Sequence, residues 1–351
     1  MAYFSIRICA EASQILGIEI PVWDFYSSAD AELEVRRARL SVKRFGMEVN
    51  MAGRILNFGS LNIDRVYRVE HFVRPGETVA SKGYQCFPGG KGLNQSIAAA
   101  RAGARVFHAG TVGADGDFLI KLLSESGADV RYVRKTDGIT GHALIQVNDA
   151  GENCIILYPG ANFDNDNAYM EQVLSGFSAG DILMLQNEIS NLSWLLERGK
   201  KKGMRIMLNP SPMDGALAEM DLTGISWLML NETEGGALTG EGEPEAILRT
   251  LLSRLPGTQV ILTLGKDGAM LGDGKKILRQ PCFPVKTVDT TAAGDTFTGY
   301  FAAAILENAD PEDALRLASA AAAMAVSEAG AAVSIPVRER VEAFLKAGPH
   351  G

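Results

Sequence analysis

From Arg54 onward the chain alternates short apolar runs with longer stretches of helical spacing. The runs in "DILMLQNE" (181–188), "RIMLNPSP" (205–212), "WLMLNETE" (227–234) and "QVILTLGKDGAML" (259–271) each give way to polar or glycine residues. Continuous apolar runs bounded by turn residues read as strands buried on both faces. Between such runs, "DFLIKLLSESG" (117–127) and "AILRTLLSRLPG" (246–257) space their apolar residues as helices do and stop at a glycine. The alternation predicts an α/β fold, doubly wound, with a mostly parallel sheet flanked by helices. Sheets of this kind bind ligands beyond the carboxyl ends of their strands, where the polar tips gather.

Two segments depart from this rhythm. "VYRVEHFVRPGETVASKGYQCF" (66–87) and "ITGHALIQVNDAGENCIILYPGAN" (139–162) read as antiparallel hairpins, the second turning at "NDAGEN". They predict a small β-flap, or lid, built from about 65–87 and 139–161. The first fifty residues lack the strand–helix rhythm, and "DAELEVRRARLSVKRFGMEVN" (30–50) is charged. A folded domain is therefore expected over 52–347, after an extension at 1–51 that is either disordered or a helical arm.

Composition narrows the function classes. A formal net charge of −8 with no basic face disfavours nucleic acid. It leaves room for anionic small molecules, which backbone dipoles can hold inside an acidic protein. The cysteines at 9, 86, 154 and 282 form no C-x-x-C pair, which fits reduced thiols in the cytoplasm. No apolar run is long enough for a membrane span, no signal peptide is apparent, and the histidines show no zinc spacing.

The chemistry gathers in four stretches. "PGGKGLNQSIAAARAG" (88–103) runs a glycine-rich turn into a helix, with Lys91 and Asn94 as donors beside Gly90. It has neither the Walker A nor the G-x-G-x-x-G spacing. "GSLNID" (59–64) ends a strand in this reading, with Asn62 and Asp64 on one face; the pair suits vicinal hydroxyls or simply a turn. "NETEGGALTG" (231–240) sets Asn231 and Glu234 one helical turn apart, fit for a hydrated magnesium ion, for a capping box, or for both. In "VDTTAAGDTFTGYF" (288–301), Ala292, Ala293 and Gly294 precede a helix start almost free of side chains, and Asp295 follows at once. Free N–H groups and a positive dipole end make an anion site there, and the carboxylate can accept a proton from an attacking hydroxyl. Asp295 as a mere cap would leave the stripped Ala-Ala-Gly turn unexplained.

Taken in order, "GSLNID", "RPGETV", "PGGKGLNQ", "NETEGGALTG", "LTLGKDGA" and "VDTTAAGDTFTGYF" resemble the PfkB-type family of carbohydrate kinases, from about Arg54 to Phe344. The resemblance implies ATP-dependent phosphorylation of a sugar at its primary hydroxyl, D-ribose first among candidates. A related sugar or nucleoside kinase, or a sugar-binding regulator without turnover, are the alternatives. It implies Asp295 as general base and Ala292, Ala293 and Gly294 as an anion hole. Asn62, Asp64, Gly90, Lys91, Asn94 and Glu188 match sugar-holding positions. Asn231, Thr263, Gly265, Lys266, Asp267, Gly268 and Ser319 match the ATP side, and Asn231 with Glu234 the magnesium motif. Asp289, Thr291, Ala325, Glu328, Gly330 and Ser334 match a potassium site, with Glu328 departing from the commoner basic residue and Ser319 from a histidine. A homodimer paired through the β-flap is implied as well.

Overall fold

The computed structural model describes residues 53–348, and the expectation for residues 1–51 lies outside them. The main sheet is assembled from β1 (Ile55–Phe58), β4 (Val106–Val112), β5 (Asp129–Lys135), β8 (Ile182–Gln186), β9 (Arg205–Asn209), β10 (Trp227–Asn231) and β11 (Gln259–Thr263), all parallel. Two further strands, β12 (Ala269–Gly272) and β13 (Ile277–Gln280), continue one edge antiparallel. The spatial order is β13-β12-β11-β10-β9-β8-β1-β4-β5, so the first described strand lies inside the sheet and the later ones are added outward in both directions.

Strand side chains alternate between two cores. Ile55, Met184, Met207, Met229 and Ile261 face one apolar cluster. Their neighbours Leu56, Leu183, Leu185, Leu208, Leu228 and Leu262 face the other. Burial on both faces explains why these strands read as unbroken apolar runs. The first cluster is covered by α1 (Lys91–Arg101), α2 (Asp117–Glu125), α8 (Ala293–Leu306), α9 (Pro311–Val326) and α11 (Arg338–Ala347). The second lies under α3 (Asn167–Leu174), α4 (Leu192–Lys201), the short α5 (Gly215–Ala218) and α7 (Pro244–Arg254), with α6 (Glu232–Thr239) packed beside α7. The last short helix is α10 (Ala331–Ser334).

Helix α8 is buried on every side from Asp295 to Leu306, which accounts for its lack of amphipathic spacing. It touches α1 at Gly299, where a Cβ would lie 2.4 Å from that of Ala98. That glycine sits one turn beyond Asp295, and the close approach brings the start of α8 against Asn94 and Gln95. At the start of α1, Gly92 meets the backbone between β1 and the first flap strand, where a Cβ would stand 2.3 Å from Ser60 N.

A second sheet holds β2 (Asn62–Arg68), β3 (Gly83–Gly89), β6 (Gly141–Val147) and β7 (Asn153–Tyr158), in the order β3-β2-β6-β7. The two expected hairpins are present as β2–β3 and β6–β7, and they are joined by a parallel β2–β6 pairing. Two readings need correction. Asn62 and Asp64 do not end a strand of the main sheet; β1 stops at Phe58 and they open the first flap strand. Likewise "QVILTLGKDGAML" is not one strand but two, turned antiparallel about Gly265–Asp267.

Candidate active site

The centre of the site is Asp295, only 8 % exposed. Its Oδ2 accepts from Asn94 Nδ2 at 3.0 Å and its Oδ1 from Gln95 Nε2 at 3.0 Å. The carboxylate thus faces α1 and does not cap its own helix. The N-cap is Ala292, which has no side chain to cap with and sits in the left-handed region at φ 61°. A non-glycine residue there carries strain on the order of 1 kcal/mol, which tends to gather at functional turns. Ala293 and Gly294 do not precede the helix, as expected, but form its first turn. The N–H groups of Gly294 and Asp295 donate to no backbone carbonyl among the described residues, and a Cβ on Gly294 would meet open space. A donor-lined, side-chain-free helix mouth of this kind fits an anion.

A cavity of about 230 Å³ opens at this mouth, lined among others by Lys91, Asn231, Glu234, Thr263 and the Ala292–Asp295 turn. Burial by itself would lower the Lys91 ammonium, yet Asp295, Glu188 and Glu234 together hold it above its ordinary value. Asn231 and Glu234 form a full capping box: Asn231 Oδ1 accepts from Glu234 N at 2.9 Å, and Glu234 Oε2 from Asn231 N at 3.0 Å. The second Glu234 oxygen remains for a hydrated cation. No cluster of three His, Cys, Asp or Glu side chains suited to a bare metal ion exists among the described residues. That donor set fits magnesium that keeps most of its waters.

On the flap side of Asp295 lie Asp64 and Glu188. Burial, then Glu188 and Asp295, push the Asp64 carboxyl up to about 6. Glu188 is also pushed up by burial, against the opposing pull of Lys91 and of hydrogen bonds from Ser60 and the Lys91 N–H. Asn62 is buried, and its Oδ1 accepts from Asn162 Nδ2 at 2.7 Å. Gly90, at φ 94°, forms the turn into α1. Asn94 Oδ1 is buried with no donor, a vacancy suited to a hydroxyl.

The remaining expected positions are less tightly assembled. Thr263 lines the cavity, whereas Gly265–Gly268 form the turn beyond β11 and Ser319 lies on α9; neither lines it. Ser319 Oγ is buried without a partner. Asp289 ties two loops together, accepting from Thr291 N at 2.9 Å, Thr291 Oγ1 at 2.6 Å and Gly330 N at 3.0 Å. Val326 O receives Val288 N and Asp289 N, so 288–291 and 325–330 adjoin, with Ser334 buried in the helix that follows Gly330. The Glu328 carboxylate is engaged by Arg340 at 2.8 Å through Oε1. A loop pair rich in carbonyl oxygens and poor in free carboxylates fits a weakly charged ion such as potassium.

Sequence reasoning missed the polar residues behind the site. Asn162 positions Asn62 and also accepts the Leu61 N–H at 2.9 Å; Ser60 braces Glu188 and Gly92. Gln95, Gln186 and Asn57 form a buried amide chain leading to Asp295. The available signal was polarity out of place: an asparagine inside the strand "ILNF" and a glutamine closing "ILMLQ".

A doubly wound sheet, a helix mouth bared for an anion with a buried carboxylate beside it, and a flap strand bearing polar side chains define a carbohydrate kinase. The chain belongs to the pfkB family of carbohydrate kinases, whose family model matches residues 52–338. It is similar to the ribokinase of Haemophilus influenzae, 36% identical over 297 residues that cover 82% of this chain and 97% of that one. Among solved structures it resembles the ribokinase of Thermotoga maritima (TM-score 0.74, 37% identity, 84% of this chain and 99% of that one). It is equally similar in shape to the Arabidopsis thaliana ribokinase complexed with ribose and ATP (TM-score 0.74, 33% identity, 84% and 99% covered).

Proposed function

We propose that this chain transfers the γ-phosphoryl group of ATP to the primary (5-) hydroxyl of D-ribose, giving ribose 5-phosphate. The observation that carries the reading is the Asp295 carboxylate, fixed through both oxygens by Asn94 and Gln95 beside free helix N–H groups. The similarity to a ribokinase complexed with ribose and ATP supports the choice of sugar and nucleotide.

Asn62, Asp64, Gly90, Lys91, Asn94 and Glu188 hold the sugar, with its primary hydroxyl toward Asp295. The hydroxyl proton passes to the Asp295 carboxylate as the oxygen attacks the γ-phosphorus. Charge developing on the phosphoryl oxygens is met by the free N–H groups of Gly294 and Asp295, at the end of the Ala292-Ala293-Gly294 turn, and by Lys91. Asn231, Thr263, the Gly265–Gly268 turn with Lys266 and Asp267, and Ser319 serve the ATP side. Asn231 and Glu234 would hold magnesium, which would neutralise phosphate charge when bound. Asp289, Thr291, Ala325, Glu328, Gly330 and Ser334 would offer oxygens to potassium, which would steady the loops beside the helix mouth.

The flap pairs two copies of the chain. Every residue of β7 is exposed, including Ile155, Ile156, Leu157 and Tyr158, an apolar row that a lone subunit rarely leaves uncovered. Among the described residues Cys86, Cys154 and Cys282 are unpaired, which supports a cytoplasmic location.

The test is ADP formation from ATP with magnesium and potassium across D-ribose, 2-deoxyribose, fructose and adenosine. Preference for D-ribose is expected. Preference for another acceptor would move the substrate and keep the mechanism; no turnover with any would refute the kinase reading. Asp295→Asn is expected to lower kcat by roughly two to four orders of magnitude while sugar binding, measured calorimetrically, persists.

A further inference from the structure

Behind Asp295 runs a chain of side chains with no access to solvent: Gln95, Gln186, Asn57, Ser96 and His108 are each 0 % exposed. We infer that Gln95, Gln186 and Asn57 form a positioning relay that forces an amide donor onto one oxygen of the base. The inference rests on Asp295 being the base of the proposed reaction.

The polarity of the relay follows from one backbone carbonyl. Asn57 lies 2.9 Å from Gly92 O, which can only accept, so the atom facing it must be Nδ2. Asn57 Oδ1 is then the atom 3.0 Å from Gln186, which must present Nε2. The same Nε2 lies 2.7 Å from Gln95, whose facing atom must therefore be Oε1. Gln95 is left with Nε2 toward Asp295 Oδ1 at 3.0 Å. Each amide is thus fixed by its predecessor, and none can turn over alone without setting two acceptors or two donors face to face.

The other arm anchors the start of the relay. Asn57 Nδ2 also donates to Ser96 Oγ at 2.8 Å, leaving the Ser96 O–H free for His108 Nδ1 at 2.8 Å. Burial lowers the His108 imidazole to about 3, against a weaker raising effect of the Gly59 carbonyl, so this end is a neutral acceptor. The unpartnered Gln186 Oε1 is packed against Gly59, where a Cβ would stand 2.4 Å away. Three buried glutamine and asparagine side chains are a costly way to fill a core, since apolar groups of like size would pack there without needing partners. Their common product is the plane of the Asp295 carboxylate. That plane sets which lone pair meets the incoming hydroxyl, and the effect of misplacing it is large.

The decisive variants alter the relay without removing it. Gln186→Glu is nearly isosteric and its side chain does not touch Asp295; burial holds its carboxyl protonated to a higher pH than usual, and once ionised it only accepts, so the variant is assayed as pH rises. Gln95 would turn its amide to satisfy it and present Oε1 to the base, displacing the carboxylate. A roughly tenfold to hundredfold fall in kcat is expected, with KM for sugar and for ATP little changed. Gln95→Met, which removes the donor without adding charge, should lower kcat over the same range, and it serves if Gln186→Glu fails to fold. Thr258→Val is the structural control: it removes a buried hydrogen bond to Ile225 O away from the site, so its melting temperature should fall with kcat intact. Relay variants that fold but keep the parent kcat, or lose activity only through raised KM, would overturn the relay alone. A parent enzyme that turns over no sugar would overturn the base assignment and the relay with it.

Discussion

Asp64 is where the structure makes its most quantitative demand. Its carboxyl is half-buried beside Glu188 and Asp295 and is pushed from the ordinary 3.8 up to about 6, by burial first. A carboxyl raised in the folded state contributes stability that is fully present below about 3.8 and is lost as pH rises through about 6. At roughly 1.4 kcal/mol per pH unit, the gap amounts to about 3 kcal/mol lost at pH 8, an upper figure because some solvent contact remains. Asp64→Asn removes the ionisation while keeping the shape. Relative to its low-pH difference from the parent, the variant should gain up to about 3 kcal/mol at pH 8 and about half of that at pH 5. Denaturant titrations of both proteins without ligand, at pH 4, 5, 6.5 and 8, measure it. A difference that does not vary with pH, or that shrinks as pH rises, would refute the claim that the folded protein strains against this charge. The same variant should raise KM for the sugar roughly tenfold to a hundredfold, as a charge-assisted hydrogen bond is lost. In the parent, sugar KM should rise as pH falls below about 6, because protonation replaces the charged acceptor with a weaker neutral one.

Two glycines offer a contrast between function and fold. Gly294→Ala places its methyl in open space, so the melting temperature should hold while kcat falls by about tenfold or more as the methyl enters the phosphoryl cradle; unchanged kinetics would remove this turn from the reaction. Gly92→Ala would drive a Cβ to 2.3 Å from Ser60 N, so thermal denaturation should show a loss of several kcal/mol, on the order seen for overpacked cores; retained stability would show that α1 can shift away from Ser60. Glu328→Ala breaks an exposed ion pair with Arg340, so stability should change by less than about 1 kcal/mol, and activation by potassium should persist if only the backbone serves the ion. A lost potassium response, followed by titrating the salt at constant ionic strength, would assign the carboxylate to the cation.

The parts of the site that lie close together in the chain were legible. Ala292-Ala293-Gly294-Asp295 announces a bare helix mouth because all four residues act through one local turn. Asn231 and Glu234 are legible for the same reason: the capping box is present, and because it uses only one Glu234 oxygen it leaves the other for the proposed magnesium. "GSLNID" misled because β1 and β2 share the same period, and nothing local marks that the chain leaves one sheet at Gly59 and enters another at Asn62. The parallel pairing of β2 with β6 joins segments about eighty residues apart and was beyond any local pattern. Gln95, Gln186 and Asn57 were invisible as a group: the sequence separations are 91 and 129 residues, and a single polar residue in an apolar run has no stated partner.

In the proposed transfer, the arrangement of charge around Asp295 sets the direction. On one side stand Asp64 and Glu188, both pushed up by burial, and Asn94 with an unsatisfied carbonyl oxygen. These groups want hydrogen-bond donors, which a polyhydroxylated sugar supplies and a phosphate does not. On the other side the N–H groups of Gly294 and Asp295 lack acceptors and open onto a cavity shared with Lys91. That side wants an anion. Asp295 lies on the seam, held from behind by Asn94 and Gln95, so a hydroxyl reaching it from the acceptor-rich side meets the phosphoryl group from the donor-rich side. A nucleotide in the sugar position would set phosphate against Asp64 and Glu188, and a sugar in the phosphate position would leave the helix mouth unanswered. In the proposed reaction the polarity of the two sides thus favours a sugar on one and a phosphoryl group on the other, before any detail of shape is considered.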